Sequence, residues 1–145
     1  MNPLVVDASV VVKWFLPEES SDKALLIRDG FIREEYWLLA PDLMLSEFGN
    51  VLWKNRGIID ESTALDIISD LLGLGIPLVP ADTIIARAYG FAGQYNCTVY
   101  DAMYLAVAEG RNCGMVTADE RLCHAVAEHL PYVHSLRAWE PEEAG

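Results

Sequence analysis

The sequence predicts a three-layer α/β/α sandwich with a central parallel sheet of about five short strands. Short runs rich in Val, Ile and Leu alternate with segments of helical periodicity, which is typical of parallel strands joined by crossover helices. The length of 145 residues is enough for one hydrophobic core. We therefore expect a single domain over residues 1–139, followed by an acidic tail, 140–145, that we expect to be frayed.

Each element has a local sequence signal. The strands follow apolar, mostly β-branched runs, and we predict them at 4–6, 37–39, 76–79, 115–117 and 132–136. The helices follow apolar residues three and four positions apart, and we predict them at 10–15, 22–33, 42–56, 61–74, 83–95, 100–111 and 120–129. Gly57 and Gly75 are predicted to be C-terminal caps of the third and fourth helices, because glycine readily adopts the left-handed conformation of that position.

Composition excludes several classes of protein. Hydrophobic residues make up 52% and charged residues 22%, which excludes a disordered chain. Three cysteines without a CxxC spacing indicate neither a disulfide framework nor a zinc site. With no apolar run long enough to span a bilayer and no basic leader, we expect a cytoplasmic protein without membrane contact. The net charge of −12 disfavours binding to a polyanion, so any nucleic-acid function needs a local source of positive charge.

Four acidic residues stand in apolar surroundings. Asp7 directly follows the first predicted strand, and Asp119 follows the fourth after one alanine, so both lie at carboxyl ends of strands, where open α/β sheets bind ligands. Glu47 lies in the middle of a predicted helix, on its apolar stripe. Asp101 begins a helix and shares a face with its apolar residues. We therefore expect all four carboxylates to point into the protein.

Three of the four acids also have a structural explanation, whereas Glu47, in the middle of a helix, caps no helix end. Asp7, Asp101 and Asp119 are each placed where a carboxylate stabilises the start of a helix. Considered together, however, the four acids have no Lys or Arg at helical spacing that would neutralise them all, and clustered carboxylates repel one another unless they are protonated or coordinated. Mg²⁺ or Mn²⁺, which prefers oxygen ligands and bridges to substrate phosphates, resolves that conflict.

Around these acids the sequence resembles the PIN-domain ribonucleases, and most closely the toxin components of VapBC-type toxin–antitoxin pairs. The resemblance spans nearly the whole chain, and the segments that carry it are VVDASVVVKWFLPEE (5–19), LSEFGNVLWK (45–54), YDAMYLAVAE (100–109) and VTADERL (116–122). It implies that Asp7, Glu47, Asp101 and Asp119 are the catalytic and metal-binding acids. Ser9 and Thr117 are implied to be supporting hydroxyl residues.

The resulting expectation is a Mg²⁺- or Mn²⁺-dependent endoribonuclease, the toxin of a type II toxin–antitoxin pair. The resemblance further implies a homodimer and a cognate antitoxin with a basic inhibitory segment. Lys13, Lys54 and Arg121 flank the acidic motifs and are candidate contacts to RNA phosphates, with solvated surface charge as the alternative. Two alternatives stay open at this point: a non-catalytic acidic module that binds a basic partner, and a PIN-like nuclease with a role outside toxin–antitoxin systems.

Overall fold

A parallel sheet of five strands forms the centre of the protein, whose computed structural model describes residues 2–141. The strands are β1 (Pro3–Val6), β2 (Trp37–Pro41), β3 (Leu78–Val79), β4 (Gly114–Thr117) and β5 (Val133–Ser135). The helices that flank the sheet are α1 (Ala8–Val11), α2 (Ser21–Ile32), α3 (Leu43–Lys54), α4 (Glu61–Gly73), α5 (Ile85–Tyr95), α6 (Val99–Gly110) and α7 (Glu120–Val126). The predicted α/β/α class is confirmed, and every predicted helix and strand is present with bounds shifted by a few residues.

The strand order is β3-β2-β1-β4-β5, with every pair parallel. In the centre, Val5 pairs with Leu39 of β2 on one side and with Met115 of β4 on the other. From β1 the chain builds the sheet outward through β2 and β3, and it then returns to add β4 and β5 on the other side. The order therefore reverses between β1 and β4, and a crevice outside the carboxyl ends of two such strands is the usual ligand site of an open α/β sheet.

Helix α6 packs across the middle of the sheet, in contact with β1, β2 and β4. Every residue from position 102 to position 108 is buried, so the helix is surrounded on all sides, as its continuous apolar sequence requires. Burial of this helix fixes the position of its first turn, which carries Asp101, against the carboxyl edge of the sheet.

The first helix starts earlier than its apolar periodicity predicts. Asp7 is its N-cap and accepts a hydrogen bond from the backbone N–H of Val10, so α1 begins at Ala8 rather than at residue 10. A 3₁₀ turn over Val12–Trp14 continues it. The indole Nε1 of Trp14 donates to the carbonyl oxygen of Ala24 at 2.8 Å, which ties this segment to α2.

The two predicted glycine caps have different outcomes. Gly75 has φ +69° directly after the end of α4, as predicted. The prediction for Gly57 is wrong, because α3 ends at Lys54 with Asn55 as its C-cap. The Asn55 side chain donates to the carbonyl oxygen of Val51 at 2.8 Å, so an amide side chain satisfies the helix end in place of a left-handed glycine.

The start of the predicted tail and the residues just before it pack back onto α2. Lys23 Nζ donates to the carbonyl oxygen of Arg137 at 2.5 Å and pairs with Glu140 at 3.2 Å. The rest of the predicted acidic tail, residues 142–145, lies outside the described residues. Within residues 2–141, none of the helices has both the length and the apolar character needed to cross a membrane.

Candidate active site

Asp7 lies at the end of β1 with only 7% of its surface exposed. Its Oδ1 accepts hydrogen bonds from the Ser9 hydroxyl at 2.5 Å and from the Val10 amide at 3.3 Å. Its Oδ2 accepts a hydrogen bond from the hydroxyl of Thr117, the last residue of β4. The carboxylate is therefore held by groups from both central strands.

The two hydroxyls that hold Asp7 are themselves fixed by backbone amides. Ser9 Oγ accepts from the N–H of Ala118, and Thr117 Oγ1 accepts from the N–H of Asp119, each at 3.0 Å. Because each oxygen receives a backbone hydrogen, each hydroxyl hydrogen is free to point at Asp7. This network joins the end of β1 to the loop after β4.

Burial raises the pKa of Asp7 to about 6, although hydrogen bonds from Ser9, Thr117 and Val10 lower it and the charge of Asp101 raises it further. Loss of hydration thus outweighs the hydrogen bonds. Each carboxylate oxygen keeps lone-pair capacity beyond the bonds it accepts, so Asp7 retains the capacity to bind a cation.

Glu47 lies in the second turn of α3 and is half-buried. Its Oε1 accepts a hydrogen bond of 2.6 Å from the hydroxyl of Tyr104, which stands on α6. Burial raises the pKa of Glu47, the Tyr104 hydrogen bond lowers it and the charge of Asp101 raises it. The carboxylate therefore points from α3 toward α6 and the acid on its first turn.

Asp101 is a half-buried residue in the first turn of α6. Thr98 is the N-cap of that helix, and its hydroxyl accepts from the Asp101 amide at 3.0 Å. Burial raises the pKa of Asp101, a hydrogen bond with Thr98 lowers it, the charge of Asp119 raises it and Arg121 lowers it. The charges of Asp119 and Arg121, both at the start of α7, therefore act on Asp101.

Asp119 is the N-cap of α7, so its structural explanation holds. Its Oδ1 accepts from the backbone amides of Arg121 at 3.0 Å and Leu122 at 3.2 Å. Both of these bonds use one oxygen, and no other hydrogen bond involving the described residues uses Oδ2. The capping role of Asp119 therefore leaves Oδ2 available.

The four predicted acids are linked through their charges: the charge of Asp101 raises the pKa of Asp7 and of Glu47, and the charge of Asp119 raises the pKa of Asp101. No salt bridge within the part of the chain that the structure describes neutralises any of them. Over the same residues, no group of three or more His, Cys, Asp or Glu side chains is arranged to hold a metal ion, so the four acids do not form a direct four-ligand set. The donor set fits Mg²⁺ or Mn²⁺ held by one or two carboxylates, with water and substrate oxygens completing the coordination.

The three predicted phosphate contacts have different surroundings. Arg121 is exposed, and its charge reaches Asp101 at the crevice. Lys54 is exposed on α3, seven residues and about 10 Å along the helix axis from Glu47. Lys13 pairs with Glu18 at 3.0 Å and its side chain is only 11% exposed, so its charge is already neutralised. The geometry therefore favours Arg121 over Lys13 as a phosphate contact.

A cavity of about 990 Å³ lies elsewhere, at the amino ends of the strands, where Pro3 and Gly114 belong to its wall. Asp7 and Thr117 stand at the carboxyl ends of the same two strands. The cavity and the acidic crevice are therefore on opposite edges of the sheet.

The family model of the PIN domain matches residues 4–128. This chain belongs to the PIN domain family. The match covers all four acids, and the sequence-based recognition of a PIN domain is confirmed.

Individual PIN relatives match along nearly the whole chain. Ribonuclease VapC3 of Pyrobaculum aerophilum is 31% identical over 88% of this chain and 95% of that protein. Ribonuclease VapC1 of Mycobacterium tuberculosis is 30% identical over 90% of this chain and 95% of that protein. The crystal structure of PAE2754 from Pyrobaculum aerophilum superposes with a TM-score of 0.68 at 24% identity, covering 94% of this chain and 92% of that one, and it shows the shared fold.

Sequence reasoning missed Tyr104 as a member of the site. In the sequence, Tyr104 is one of the residues on the apolar face that Asp101 shares. A buried phenol needs a hydrogen-bond acceptor, and a half-buried mid-helix acid such as Glu47 needs a donor, which is the signal that links them. Burial and the Glu47 carboxylate raise the pKa of Tyr104 far above its usual value, so its hydroxyl stays protonated.

Proposed function

We propose that this PIN domain is a metal-dependent endoribonuclease that hydrolyses RNA phosphodiester bonds in the cytoplasm, as the toxin of a type II toxin–antitoxin pair. The observation that carries the proposal is the buried Asp7 carboxylate at the carboxyl edge of the sheet, where strand order reverses, with Asp101 acting on it through its charge and no salt bridge to either acid in the described residues. The relatives' name, ribonuclease, supports RNA as the substrate.

Asp7 and Asp101 are the proposed direct cation ligands, with Glu47 and Asp119 acting through water, because no three acids of the described residues are arranged to bind one ion directly. A bound Mg²⁺ or Mn²⁺ supplies a Lewis acid for phosphodiester hydrolysis and offsets the charge of the phosphate. That positive charge also offsets, locally, the repulsion between RNA and a protein with a net charge of −12.

The remaining residues orient the acids and the substrate. Ser9 and Thr117 hold the Asp7 carboxylate through its two oxygens, so they act as positioning groups rather than nucleophiles. The charge of Arg121 acts on Asp101, so Arg121 is the proposed contact to the RNA phosphate next to the cleaved bond, while Lys54 and Lys13 are weaker candidates.

The same acidic crevice is the proposed binding site of an inhibitory antitoxin. A basic segment of an antitoxin would place an arginine against two carboxylates, because a guanidinium binds carboxylates bidentately and replaces the charge of the cation. Inhibition then needs no second binding site on the protein.

The proposed homodimer is tested separately by measuring molar mass in solution with light scattering.

Purified protein incubated with single-stranded RNA tests the proposal. Cleavage is expected with Mg²⁺ or Mn²⁺, and exhaustive EDTA treatment and Asp7→Asn should each remove it. Asp60→Asn is the matched control, because Asp60 is a fully exposed helix cap on α4 and its replacement should leave cleavage unchanged. Cleavage that survives both EDTA and Asp7→Asn would come from a contaminant or from different chemistry. Folded, metal-loaded protein that binds basic peptides but cleaves no RNA would instead indicate a binding module.

A further inference from the structure

Tyr104 connects the helices that carry two of the four acids. It lies on α6 one turn after Asp101, is 2% exposed, and donates its hydroxyl hydrogen to Glu47 Oε1 on α3 at 2.6 Å. The two residues are 57 positions apart in the chain, so this bond is a tertiary contact between motif segments.

The bond restricts a side chain that would otherwise be mobile. A glutamate has three rotatable side-chain bonds, and Glu47 is half-buried with no salt bridge within residues 2–141. Fixing Oε1 on the phenol leaves Oε2 as the oxygen available to another ligand. Because a tyrosine hydroxyl keeps its hydrogen at neutral pH, this donor persists under ordinary conditions.

We propose that Tyr104 is a positioning residue that orients the Glu47 carboxylate for the divalent cation and fixes it relative to Asp101. The inference rests on the proposed function, because it assumes that Glu47 contributes to cation binding. Hydrogen-bonded groups behind metal ligands usually change metal affinity by about 10–100-fold when they are removed. A tyrosine that merely fills space beside α3 would not have this effect.

Tyr104→Phe tests the inference because it removes the hydroxyl and keeps the ring that fills the core. Mn²⁺ affinity is measured without RNA by following free Mn²⁺ with electron paramagnetic resonance, and we expect it to weaken by about 10–100-fold. Tyr36→Phe is the matched control, since it also removes a hydroxyl that donates at 2.6 Å, in that case to the carbonyl oxygen of Ile27. The control should bind Mn²⁺ like the unaltered protein, and urea unfolding verifies that both variants are folded.

A double-mutant cycle with Glu47→Gln shows whether Tyr104 acts through Glu47. Once Glu47→Gln has weakened binding, adding Tyr104→Phe should cost much less than it does alone. An undiminished cost in the Glu47→Gln background would overturn the assigned route. The RNA cleavage rate of Tyr104→Phe should also recover largely at saturating Mn²⁺, because the lost orientation affects cation binding first.

Two failures are distinguishable. If the unaltered protein binds no Mn²⁺, or Glu47→Gln binds it equally well, the proposed role of Glu47 in cation binding fails and the role of Tyr104 fails with it. If Glu47→Gln weakens binding but Tyr104→Phe binds Mn²⁺ like the unaltered protein, only the inference about Tyr104 is wrong.

Discussion

Replacing Asp7 by asparagine in the metal-free protein is expected to change how stability depends on pH. Burial raises the pKa of Asp7 to about 6 from its usual 3.8. Between these values the folded protein holds a proton that the unfolded chain has released, so the free energy of unfolding falls as pH rises. The loss is complete above about pH 6 and absent below about pH 4.

The size of the effect follows from the two pKa values. At 1.36 kcal/mol for each unit of difference, the interval from 3.8 to about 6 corresponds to about 3 kcal/mol. Asparagine has no such titration, so the difference in free energy of unfolding between Asp7→Asn and the unaltered protein should shift in favour of the variant by about 2–3 kcal/mol between pH 4 and pH 7.5. Comparing the two pH values cancels any change in packing or hydrogen bonding that does not depend on pH.

Urea unfolding in EDTA, followed by circular dichroism at several pH values, measures this difference. A difference that is constant across the range would show that Asp7 titrates alike in the folded and unfolded states. A difference that moves the other way, with the unaltered protein gaining relative stability as pH rises, would show that the Ser9, Thr117 and Val10 hydrogen bonds outweigh burial. Either result would refute the reasoning.

Three further predictions concern other parts of the crevice. Asp101→Asn should lower RNA cleavage by about 100-fold or more, because it removes a proposed cation ligand. The metal-free melting temperature should stay equal or rise, because one of several mutually repelling carboxylates is gone. A large drop in melting temperature, measured by calorimetry, would instead show that Asp101 is a structural hydrogen-bond acceptor. Asp119→Ala should lose about 1 kcal/mol of stability with the α7 cap, whereas Asp119→Asn keeps the cap and still loses cleavage, as urea unfolding and an RNA assay will show. An arginine-rich peptide should inhibit RNA cleavage in competition with Mg²⁺, and it should bind the Asp7→Asn variant more weakly than the unaltered protein. If calorimetric titrations show that saturating Mg²⁺ leaves the peptide's affinity unchanged, and that the variant binds it equally well, the peptide binds elsewhere.

The acids at the strand ends were predictable because local signals mark them. An apolar run followed by an acid identifies Asp7 and Asp119 as residues at the carboxyl edge of a parallel sheet, and the apolar faces around Glu47 and Asp101 point them inward. These inferences need only the periodicity of one element at a time. The family resemblance then joined the four segments into one site.

What the sequence left open depends on contacts between distant segments. The bond between Glu47 and Tyr104 joins residues 57 positions apart, and no local pattern encodes which buried phenol meets which acid. The pairing of Lys13 with Glu18 depends on how the chain turns after the first helix, which removed Lys13 from the free cations. Gly57 was predicted to be a cap because glycine is usual at helix ends. The helix ends two residues earlier, at its C-cap Asn55, whose side-chain amide donates to the carbonyl oxygen of Val51.

The central place of β1 has a consequence for biosynthesis. Asp7 meets Thr117 across 110 residues of chain, and β4 cannot pair with β1 until residues 114–117 have been made. A nascent chain therefore carries Asp7 through the synthesis of those 110 residues without the strand that completes its surroundings. Contacts of such large sequence separation form late and slowly, because loop closure precedes any gain from pairing. On the proposed function as a nuclease, synthesis beside ribosomal RNA then proceeds without a complete Asp7 site until β4 has been made.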